Sequence, residues 1–333
     1  MKPPHSLVGA CIAMALAACS GAQSGSIANP VPSVNKGQHL TGAHRATTAL
    51  ILVANEGAGL AGTIGEFAEN ANGNVAPSSV ISNHNGGPVA IAFSSKEGIG
   101  IANGNIDSSG QVGAETFALS TGDILTGITC FGKPIQTNGV AFDSTGRLYV
   151  SAFLGRTHAV EVFRPGATGC AKPKRTIPDA GGVAIDSNNV LYVANRTAQT
   201  IDLFAAGSST METQIGGSNT GLVAPSTVAV DAALNVYVFD TQTATISEFA
   251  AGATGNVAPI RTIAGSNTEL YGGNSFSFGL AVSKASGEIF VANPGSNAIL
   301  GFAANATGNV APIQTIAGGA TGLSNPLGLA VTK

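Results

Sequence analysis

The stretch FAAGATGNVAPIRTIAGSNT at residues 249–268 decides the fold, because it returns almost letter for letter as FAANATGNVAPIQTIAGGAT at residues 302–321. Shorter relatives of this unit recur through most of the chain; they are FAENANGNVAPSSVIS at 67–82, FRPGATGCAKPKRTIPD at 163–179 and FAAGSSTMETQIGG at 204–217. Such self-similarity indicates a repeat architecture, in which each copy buries its apolar surface against its neighbours.

Each unit contains short apolar strands separated by turns. In GGVAIDSNNVLYVANRTAQTIDLFAAG at 181–207, two strands rich in β-branched residues flank an Asp-Ser-Asn-Asn turn, and a third strand ends in phenylalanine. Two sets of recurring positions, one on the second strand and one on the third, each predict six units. The second-strand positions are Val53, Ile101, Val150, Val193, Val238 and Val291, and the third-strand aromatic positions, which we expect in the core, are Phe67, Phe117, Phe163, Phe204, Phe249 and Phe302.

The two ends of the repeated region complement each other. The first unit begins at its second strand, ALILVAN at 49–55, and the strand it lacks has the pattern of NPLGLAVT at 325–332. We therefore predict an all-β, six-bladed β-propeller of four-stranded blades, closed by the C-terminal strand pairing into the first blade, which leaves no open sheet edge.

The pattern GVAxD…LYVAN…IxxF at this spacing resembles the NHL-type and YVTN-type six-bladed propeller repeats over about residues 47–333. The second unit departs from the pattern, because it lacks the Asp turn and the ATGNVAP hairpin, and we expect an irregular blade there. The resemblance is specific for a fold and carries little information about function.

The N-terminus has the features of an export signal. Lys2 precedes a short apolar run that is too brief to span a bilayer, and the run ends in LAAC at residues 16–19, which resembles the bacterial lipobox. This predicts a lipoprotein signal peptide at 1–18, a lipidated Cys19 with a flexible tether at 19–46, and the propeller domain at 47–333. We expect an exported protein that lipid holds on the outer membrane, the cell surface or the periplasmic face of a membrane.

Cys130 and Cys170 are the two cysteines that remain once the signal is removed and Cys19 carries lipid. Export places both in a compartment that permits disulfides. A bridge between them and a pair of separate buried thiols are both open at this point, since connectivity does not follow from sequence alone.

The composition argues against several classes of function. A net charge of −3 gives no polycationic field, so nucleic acid is not an expected partner. No Ser/His/Asp arrangement, P-loop or dinucleotide fingerprint is visible, no catalytic residue is identified, and the residues favour a protein that is not an enzyme. We expect a monomer without a cofactor.

A polar residue recurs at the end of the second strand in most units, and this set of residues, which we call the polar register, is the most favourable place for a metal. In propeller hydrolases of the lactonase type, which this fold resembles, a central divalent ion is held by Glu, Asn and Asp, and Ca²⁺ prefers such oxygen ligands. The competing interpretation is that each side chain bonds its own turn. The register consists of Asn55, Asn103, Asn195, Asp240 and Asn293.

Other acidic residues recur within the units. Asp143, Asp186 and Asp231 end first strands, and we interpret them as turn-forming residues. Glu161, Asp202 and Glu248 lie on third strands, where the pattern predicts solvated faces.

Charge is distributed unevenly. Residues 131–180 carry seven basic and three acidic residues, whereas residues 201–300 carry two basic and seven acidic ones. We expect the basic sector to meet an anionic ligand or an envelope protein. Its candidate binding residues are Lys133, Arg156, Arg164, Lys172, Lys174 and Arg175.

These features favour a binding or scaffold module for a protein, glycan or other ligand at the cell envelope. Two alternatives stay open: a metal-dependent, lactonase-like hydrolase with its site at the channel mouth, and a structural surface protein without a dedicated ligand. Converging acidic oxygens at the channel mouth would favour the hydrolase, whereas apolar and amide groups there would favour the binding module.

Overall fold

The structure is a computed structural model of the chain. Within the unit His44–Lys333, it describes residues 49–57, 62–82, 87–103, 114–117, 124–128, 135–154, 157–178, 181–273 and 279–332. The regular elements in these ranges are β-strands and short 3-10 helices. None of the helices among them is long and apolar enough to cross a membrane.

Across the described ranges, 24 strands form six antiparallel sheets of four strands each. The first sheet contains β1 (Leu50–Asn55), β2 (Thr63–Ala68), β3 (Ser79–Ser82) and β24 (Pro326–Val331); the second contains β4 (Pro88–Ser94), β5 (Gly98–Asn103), β6 (Ala114–Phe117) and β7 (Ile124–Ile128); the third contains β8 (Ile135–Phe142), β9 (Leu148–Leu154), β10 (Thr157–Phe163) and β11 (Arg175–Ile177).

The remaining three sheets repeat this order of strands. The fourth sheet contains β12 (Val183–Ile185), β13 (Leu191–Asn195), β14 (Thr200–Phe204) and β15 (Thr213–Gly216); the fifth contains β16 (Pro225–Val230), β17 (Val236–Asp240), β18 (Thr245–Phe249) and β19 (Arg261–Ile263); the sixth contains β20 (Leu280–Val282), β21 (Ile289–Asn293), β22 (Ala298–Phe302) and β23 (Gln314–Ile316). The 3-10 helices are Ser218–Thr220, Ser266–Thr268, Pro294–Ser296 and Gly319–Thr321.

The prediction of an all-β propeller with four-stranded blades is confirmed. Five sheets consist of consecutive strands, whereas the first sheet takes its innermost strand from the other end of the chain. β24 pairs with β1 in antiparallel register, from Ile51 opposite Val331 to Asn55 opposite Pro326.

The apolar core lies between the sheets. Each buried cluster combines residues of two sheets; for example, Tyr192 and Ile201 of the fourth sheet pack with Val238 and Phe249 of the fifth, and Ile51 of the first sheet packs with Phe290 of the sixth. Both faces of the central strands are therefore buried. This explains why β1 and β21 are nearly continuous apolar runs and do not alternate with polar residues.

The third-strand phenylalanines occupy this core as expected. Phe67, Phe163, Phe204, Phe249 and Phe302 are all at most 3% exposed. Aromatic rings of this size contribute large apolar areas to the packing between sheets. The side chain of Phe117 lies outside the described set.

The second sheet differs locally from the others. In place of the Asp turn, Ser94 Oγ accepts the N–H groups of Lys96 and Glu97. The pairing of β6 with β7 also shifts register between Thr116 and Phe117. The first difference corresponds to the Asp turn that the sequence of this unit lacks.

The ATGN segments turn the chain between the third and fourth strands, and they also hold the preceding sheet. Gly255 and Gly308 adopt positive φ angles of 70° and 73°, which glycine reaches without steric cost. Each forms a parallel bridge to the last strand of the preceding sheet, Gly255 with Ile215 and Gly308 with Ile263.

An asparagine completes this contact, which we call the Asn clasp and define by Asn74, Asn256 and Asn309. The Oδ1 atom of each asparagine accepts a backbone N–H from the 3-10 helix that follows the preceding sheet; the donors are Ala320 at 2.8 Å, Asn219 at 2.7 Å and Asn267 at 2.7 Å. The repeated hairpin therefore joins neighbouring sheets, a role that its turn composition does not reveal.

Candidate functional site

Four residues of the predicted basic sector lie on one hairpin of the third sheet. Arg164, Lys172 and Lys174 are exposed, and Arg175 is half-buried at the first position of β11. Lys133 and Arg156 lie outside the described residues. The hairpin thus presents three exposed cations beside a guanidinium group that is partly inside the protein.

Arg175 is held against Tyr149 of β9. One terminal nitrogen, Nη2, donates to the Tyr149 hydroxyl at 3.1 Å, and the guanidinium carbon lies 5.7 Å from the centre of the ring, within the range of a cation–π contact. The Nε atom of Arg175 is buried and has no hydrogen-bond partner. A buried donor without an acceptor costs free energy, so this nitrogen is suited to receive an oxygen.

Tyr149 in turn donates to Asp143, which organises the first turn of the third sheet. Asp143 Oδ1 accepts the backbone N–H groups of Thr145 and Arg147, and its Oδ2 accepts the Tyr149 hydroxyl at 3.3 Å. Burial alone would raise the pKa of Asp143, but the hydrogen bonds from Thr145 and Arg147 bring it below its ordinary value. Asp143 is therefore a turn-forming carboxylate.

The same Asp–Tyr pair recurs in the next two sheets. Asp186 accepts the Tyr192 hydroxyl at 3.3 Å, and Asp231 accepts the Tyr237 hydroxyl at 3.4 Å. Burial, followed by the charge of Asp186, raises the pKa of Tyr192 to about 12. The turn-forming interpretation of these aspartates agrees with their hydrogen bonds.

The fifth sheet shows what normally faces an arginine at the Arg175 position. Arg261 is the first residue of β19 and is paired in register with Glu248 of β18. Its Nε and Nη2 atoms bind the two carboxylate oxygens of Glu248 at 2.6 and 2.7 Å. In the third sheet the residue opposite Arg175 is Val162, so this arginine lacks the carboxylate that its counterpart has.

The expectation that the third-strand acids are solvated is wrong. Glu161 is 9%, Asp202 5% and Glu248 3% exposed. The reason is that a blade packs against a neighbour on each of its faces, so the period of two that separates core from solvent in a one-sided sheet does not apply here. Asp202 meets its hydrogen-bonding needs through Asn195 and Thr200.

Glu66 occupies in the first sheet the position that Glu248 occupies in the fifth. It is 7% exposed, it faces Ser79 across β2 and β3, and its Oε1 atom has no hydrogen-bond partner. Burial raises the pKa of Glu66 to about 7. The first sheet therefore holds a carboxylate without an arginine, and the third an arginine without a carboxylate.

This arrangement predicts that Glu66→Gln stabilises the protein at high pH. Because the folded pKa is raised, the native state binds the proton more tightly, so Glu66 costs stability as pH rises from about 4.5 through about 7. At pH 8 we expect the variant to gain about 1–3 kcal/mol in free energy of unfolding, and at pH 4 almost nothing. Urea unfolding at both pH values measures the difference. Glu212→Gln, at an exposed position, is the control, and an equal gain at both pH values would contradict the prediction.

The predicted polar register at the second-strand ends is engaged in backbone contacts. Asp240 Oδ2 accepts N–H groups from Val223 and Ala224, both at 2.7 Å, and its Oδ1 accepts those of Gln242 and Thr243. The amide oxygens of the register also accept backbone N–H groups. Asn55 accepts the N–H of Ser324, Asn195 accepts that of Ala198, and Asn293 accepts that of Tyr271. Asn103 is fully buried.

These contacts do not fit a calcium site. A cation needs oxygen lone pairs that converge on one point, and the described oxygens of the register instead accept backbone N–H groups, some from the following turn and others from loops distant in sequence. Within the part of the chain that the structure describes, no group of three or more His, Cys, Asp or Glu residues could hold a metal ion.

The innermost strands carry uncharged residues near the same ends. In four of them the pairing with the second strand shifts by one residue. The extra residues are Val89, Asn138, Ser226 and Leu327, and each is at most 8% exposed. These positions supply apolar, amide and hydroxyl groups, and no carboxylate.

Of the predicted cysteine pair, the structure describes Cys170. Cys170 forms a disulfide. It follows Gly169, which makes a parallel bridge with Ile128 at the end of the second sheet, as the glycines of the Asn clasps do. Cys19 and Cys130 lie outside the described residues.

The sequence patterns missed Tyr149, Val162 and Glu66. Tyr149 belongs to an ordinary apolar strand, and Val162 is informative only because Glu248 stands at the same position of another unit. These residues could have been found by aligning the units strand by strand and comparing the residues that face each other on the third and fourth strands.

No protein-family model matches the chain, and no curated protein matches it. Solved structures resemble it in fold. A protein of unknown function from Bacteroides caccae has a TM-score of 0.61 at 9% identity, with 86% of this chain and 100% of that chain covered. The periplasmic gluconolactonase of Pseudomonas aeruginosa has a TM-score of 0.56 at 12% identity, covering 86% and 99%. A chain of a nidogen–laminin complex has a TM-score of 0.55 at 12% identity, covering 86% and 98%. At these identities the similarity shows a β-propeller fold alone.

Proposed function

We propose that this protein is a binding module of the cell envelope, and that the basic hairpin of its third sheet receives an anionic partner. The observation that carries the proposal is the presence of three exposed cations, Arg164, Lys172 and Lys174, on the hairpin that also holds Arg175, whose Nε is unsatisfied. The rest of the chain is acidic, so this hairpin would orient a negatively charged partner by its local field.

We propose further that the six sheets form one closed ring of the NHL/YVTN repeat type. Supporting this, β24 pairs with β1, and Gly73 of the first sheet forms a parallel bridge with Ile316 of the sixth. A closed ring gives its surface hairpins a rigid frame, which reduces the conformational entropy lost on binding.

Attachment to the envelope belongs to the same proposal. The LAAC segment supports export and lipidation at Cys19, and the tether at 19–46 would hold the propeller away from the lipid surface. Labelling with a radioactive fatty acid tests this attachment, because Cys19→Ser should remove the label.

Cys130 is the partner we propose for Cys170. In the clasps formed by Asn256 and Asn309, the facing residues are Gly217 and Gly265, each two positions after the bridged isoleucine. Cys130 stands two positions after Ile128, and Cys170 stands where the asparagine would be. Alkylation without reductant, followed by mass spectrometry, tests this pairing: one free thiol at either position contradicts it.

The binding function predicts that charge reversal on the hairpin abolishes salt-sensitive binding to anions. The full chain should bind a carboxymethyl matrix at pH 7 and low salt through this hairpin, although its net charge is negative. Lys172→Glu, Lys174→Glu and Arg175→Glu together should leave it in the flow-through. The same charge change at Lys96, Arg196 and Lys284 is the control. Equal retention of both triple variants would refute the proposal.

The structure gives the lactonase-like alternative less support than the binding module. The oxygens of Asp240 and of the described asparagines are occupied by backbone donors, and a hydrolase of that kind needs them for its ion. A calcium-dependent rise in melting temperature that Asp240→Ala removes would favour the enzyme instead.

A further inference from the structure

The third sheet contains an incomplete copy of an ion-pair site that is complete in the fifth. Asp231, Tyr237, Arg261 and Glu248 lie together in the fifth sheet, where the Tyr237 hydroxyl interacts with both Glu248 and Arg261. In the third sheet Asp143, Tyr149 and Arg175 take the corresponding places, and Val162 replaces the glutamate. In the fifth sheet Nε of Arg261 binds Glu248. The corresponding Nε of Arg175 in the third sheet is buried and has no partner.

The hairpin beside Arg175 is shorter than the one beside Arg261. Residues 205–212 between β14 and β15 of the fourth sheet number eight, against eleven at 303–313 between β22 and β23 of the sixth. The missing residues include those of the Asn clasp. The exposed Gly207 lies beside Arg175 instead: a Cβ placed there would meet Nη1 at 3.8 Å.

The charges around Arg175 select a negative occupant. Lys172 and Lys174 precede it on the same hairpin and are exposed. Two acids lie near it: Asp143 bonds its own turn and Tyr149, and Glu161, opposite the neighbouring Thr176, is buried. The guanidinium therefore has a local excess of positive charge.

The geometry of the guanidinium suits a carboxylate. Its N–H groups form a planar fork that matches two carboxylate oxygens, and Arg261 binds both oxygens of Glu248 in this way within the same protein. Val162 is shorter than glutamate and cannot supply an acceptor itself.

We propose that Arg175, positioned by Tyr149 and flanked by Lys172 and Lys174, is a receptor for a glutamate or aspartate side chain of an acidic peptide segment on a partner protein. The inference rests on the proposed binding function and gives it a ligand chemistry. The incoming carboxylate accepts hydrogen bonds from the terminal nitrogens of Arg175, because Nε is buried whereas Nη1 lies beside the exposed Gly207.

Binding of a fluorescein-labelled hexaglutamate peptide to the full chain, followed by fluorescence anisotropy at low salt, tests the inference. Arg175→Gln should weaken binding about tenfold, and Arg175→Lys nearly as much, because lysine keeps the charge and loses the fork. Lys172→Gln, which removes one exposed charge, should weaken it by less than about threefold. Labelled hexaglutamine should not bind.

Val162→Glu is the more specific variant, because it should complete the site from within. We expect it to weaken peptide binding about tenfold while leaving the melting temperature unchanged or higher, as the new carboxylate pairs with Arg175. Thr176→Glu adds the same charge at an exposed neighbouring position and should weaken binding by less than about threefold.

The outcomes separate the two proposals. If the triple charge reversal abolishes peptide binding but Arg175→Lys and Val162→Glu bind like the parent protein, the carboxylate receptor is wrong and the binding hairpin stands. Displacement of the peptide by inorganic phosphate as effective as that by glutarate would also overturn the carboxylate assignment. If the parent protein does not bind the peptide, and the carboxymethyl matrix does not retain it, both proposals fail.

Discussion

Replacing Arg261 with methionine should lower the free energy of unfolding by about 3–5 kcal/mol, because it leaves the Glu248 carboxylate buried without a counterion. The Glu248 side chain is only 4% exposed and receives both nitrogens of the arginine fork. Urea unfolding at pH 7 measures the loss.

Two controls show whether the loss comes from the buried charge. Arg147→Met removes a second ion pair, in which the arginine side chain is 43% exposed, and should cost less than about 1 kcal/mol. Adding Glu248→Gln to Arg261→Met should recover part of the loss, since a neutral amide costs less to bury than a carboxylate. A cost for Arg261→Met no larger than that of Arg147→Met would show that the pair contributes little.

The second large effect is expected at Gly265, which faces the Asn309 clasp. Its φ angle is 117°, and an added Cβ would lie 2.5 Å from Cγ and Oδ1 of Asn309. Gly265→Ala therefore combines backbone strain with a collision, and we expect a cost of about 3 kcal/mol in unfolding free energy. Thermal and urea unfolding both report it.

Gly308→Ala is the matched control for the backbone term. It also has a positive φ, of 73°, but no atom lies within 4 Å of an added Cβ, so about 1 kcal/mol is expected. The double variant Gly265→Ala with Asn309→Ala should be more stable than Gly265→Ala alone, because the contacts with Cγ and Oδ1 are gone and only the one with the Cβ of residue 309, at 2.8 Å, remains. If Asn309→Ala does not rescue Gly265→Ala, the clasp does not lie where the structure has it.

The sequence predicted the fold better than the site, and particular residues show why. Strand positions such as Val193 and Phe204 recur with the units, so their burial follows from the repeat itself. Glu248 and Glu161 were assigned to solvent because a strand pattern does not reveal that both faces of a sheet are covered. Arg175 was recognised as one charge among several, but its missing partner emerges only from the pairing of β10 with β11.

At the candidate metal register, the sequence identified the right positions but could not decide their role. Asn55, Asp240 and Asn293 share a position in the repeat, and two interpretations of that position predicted the same residue types. Hydrogen-bond partners fit neither interpretation fully: the oxygens accept backbone N–H groups and are not left for a metal, but the donors Ser324, Val223 and Tyr271 lie in other loops and not in the following turn. The direction in which an oxygen points is not encoded by spacing alone.

The pairing of β24 with β1 also constrains the order in which the protein can be completed during synthesis. β1 ends at Asn55, but its partner strand begins at Pro326, so about 270 further residues must be synthesised before the first sheet can acquire its inner strand. Until then β1 presents unpaired backbone groups along one side. Such late completion of the first sheet would suit the export that we propose for this chain, if the pathway requires an unfolded substrate.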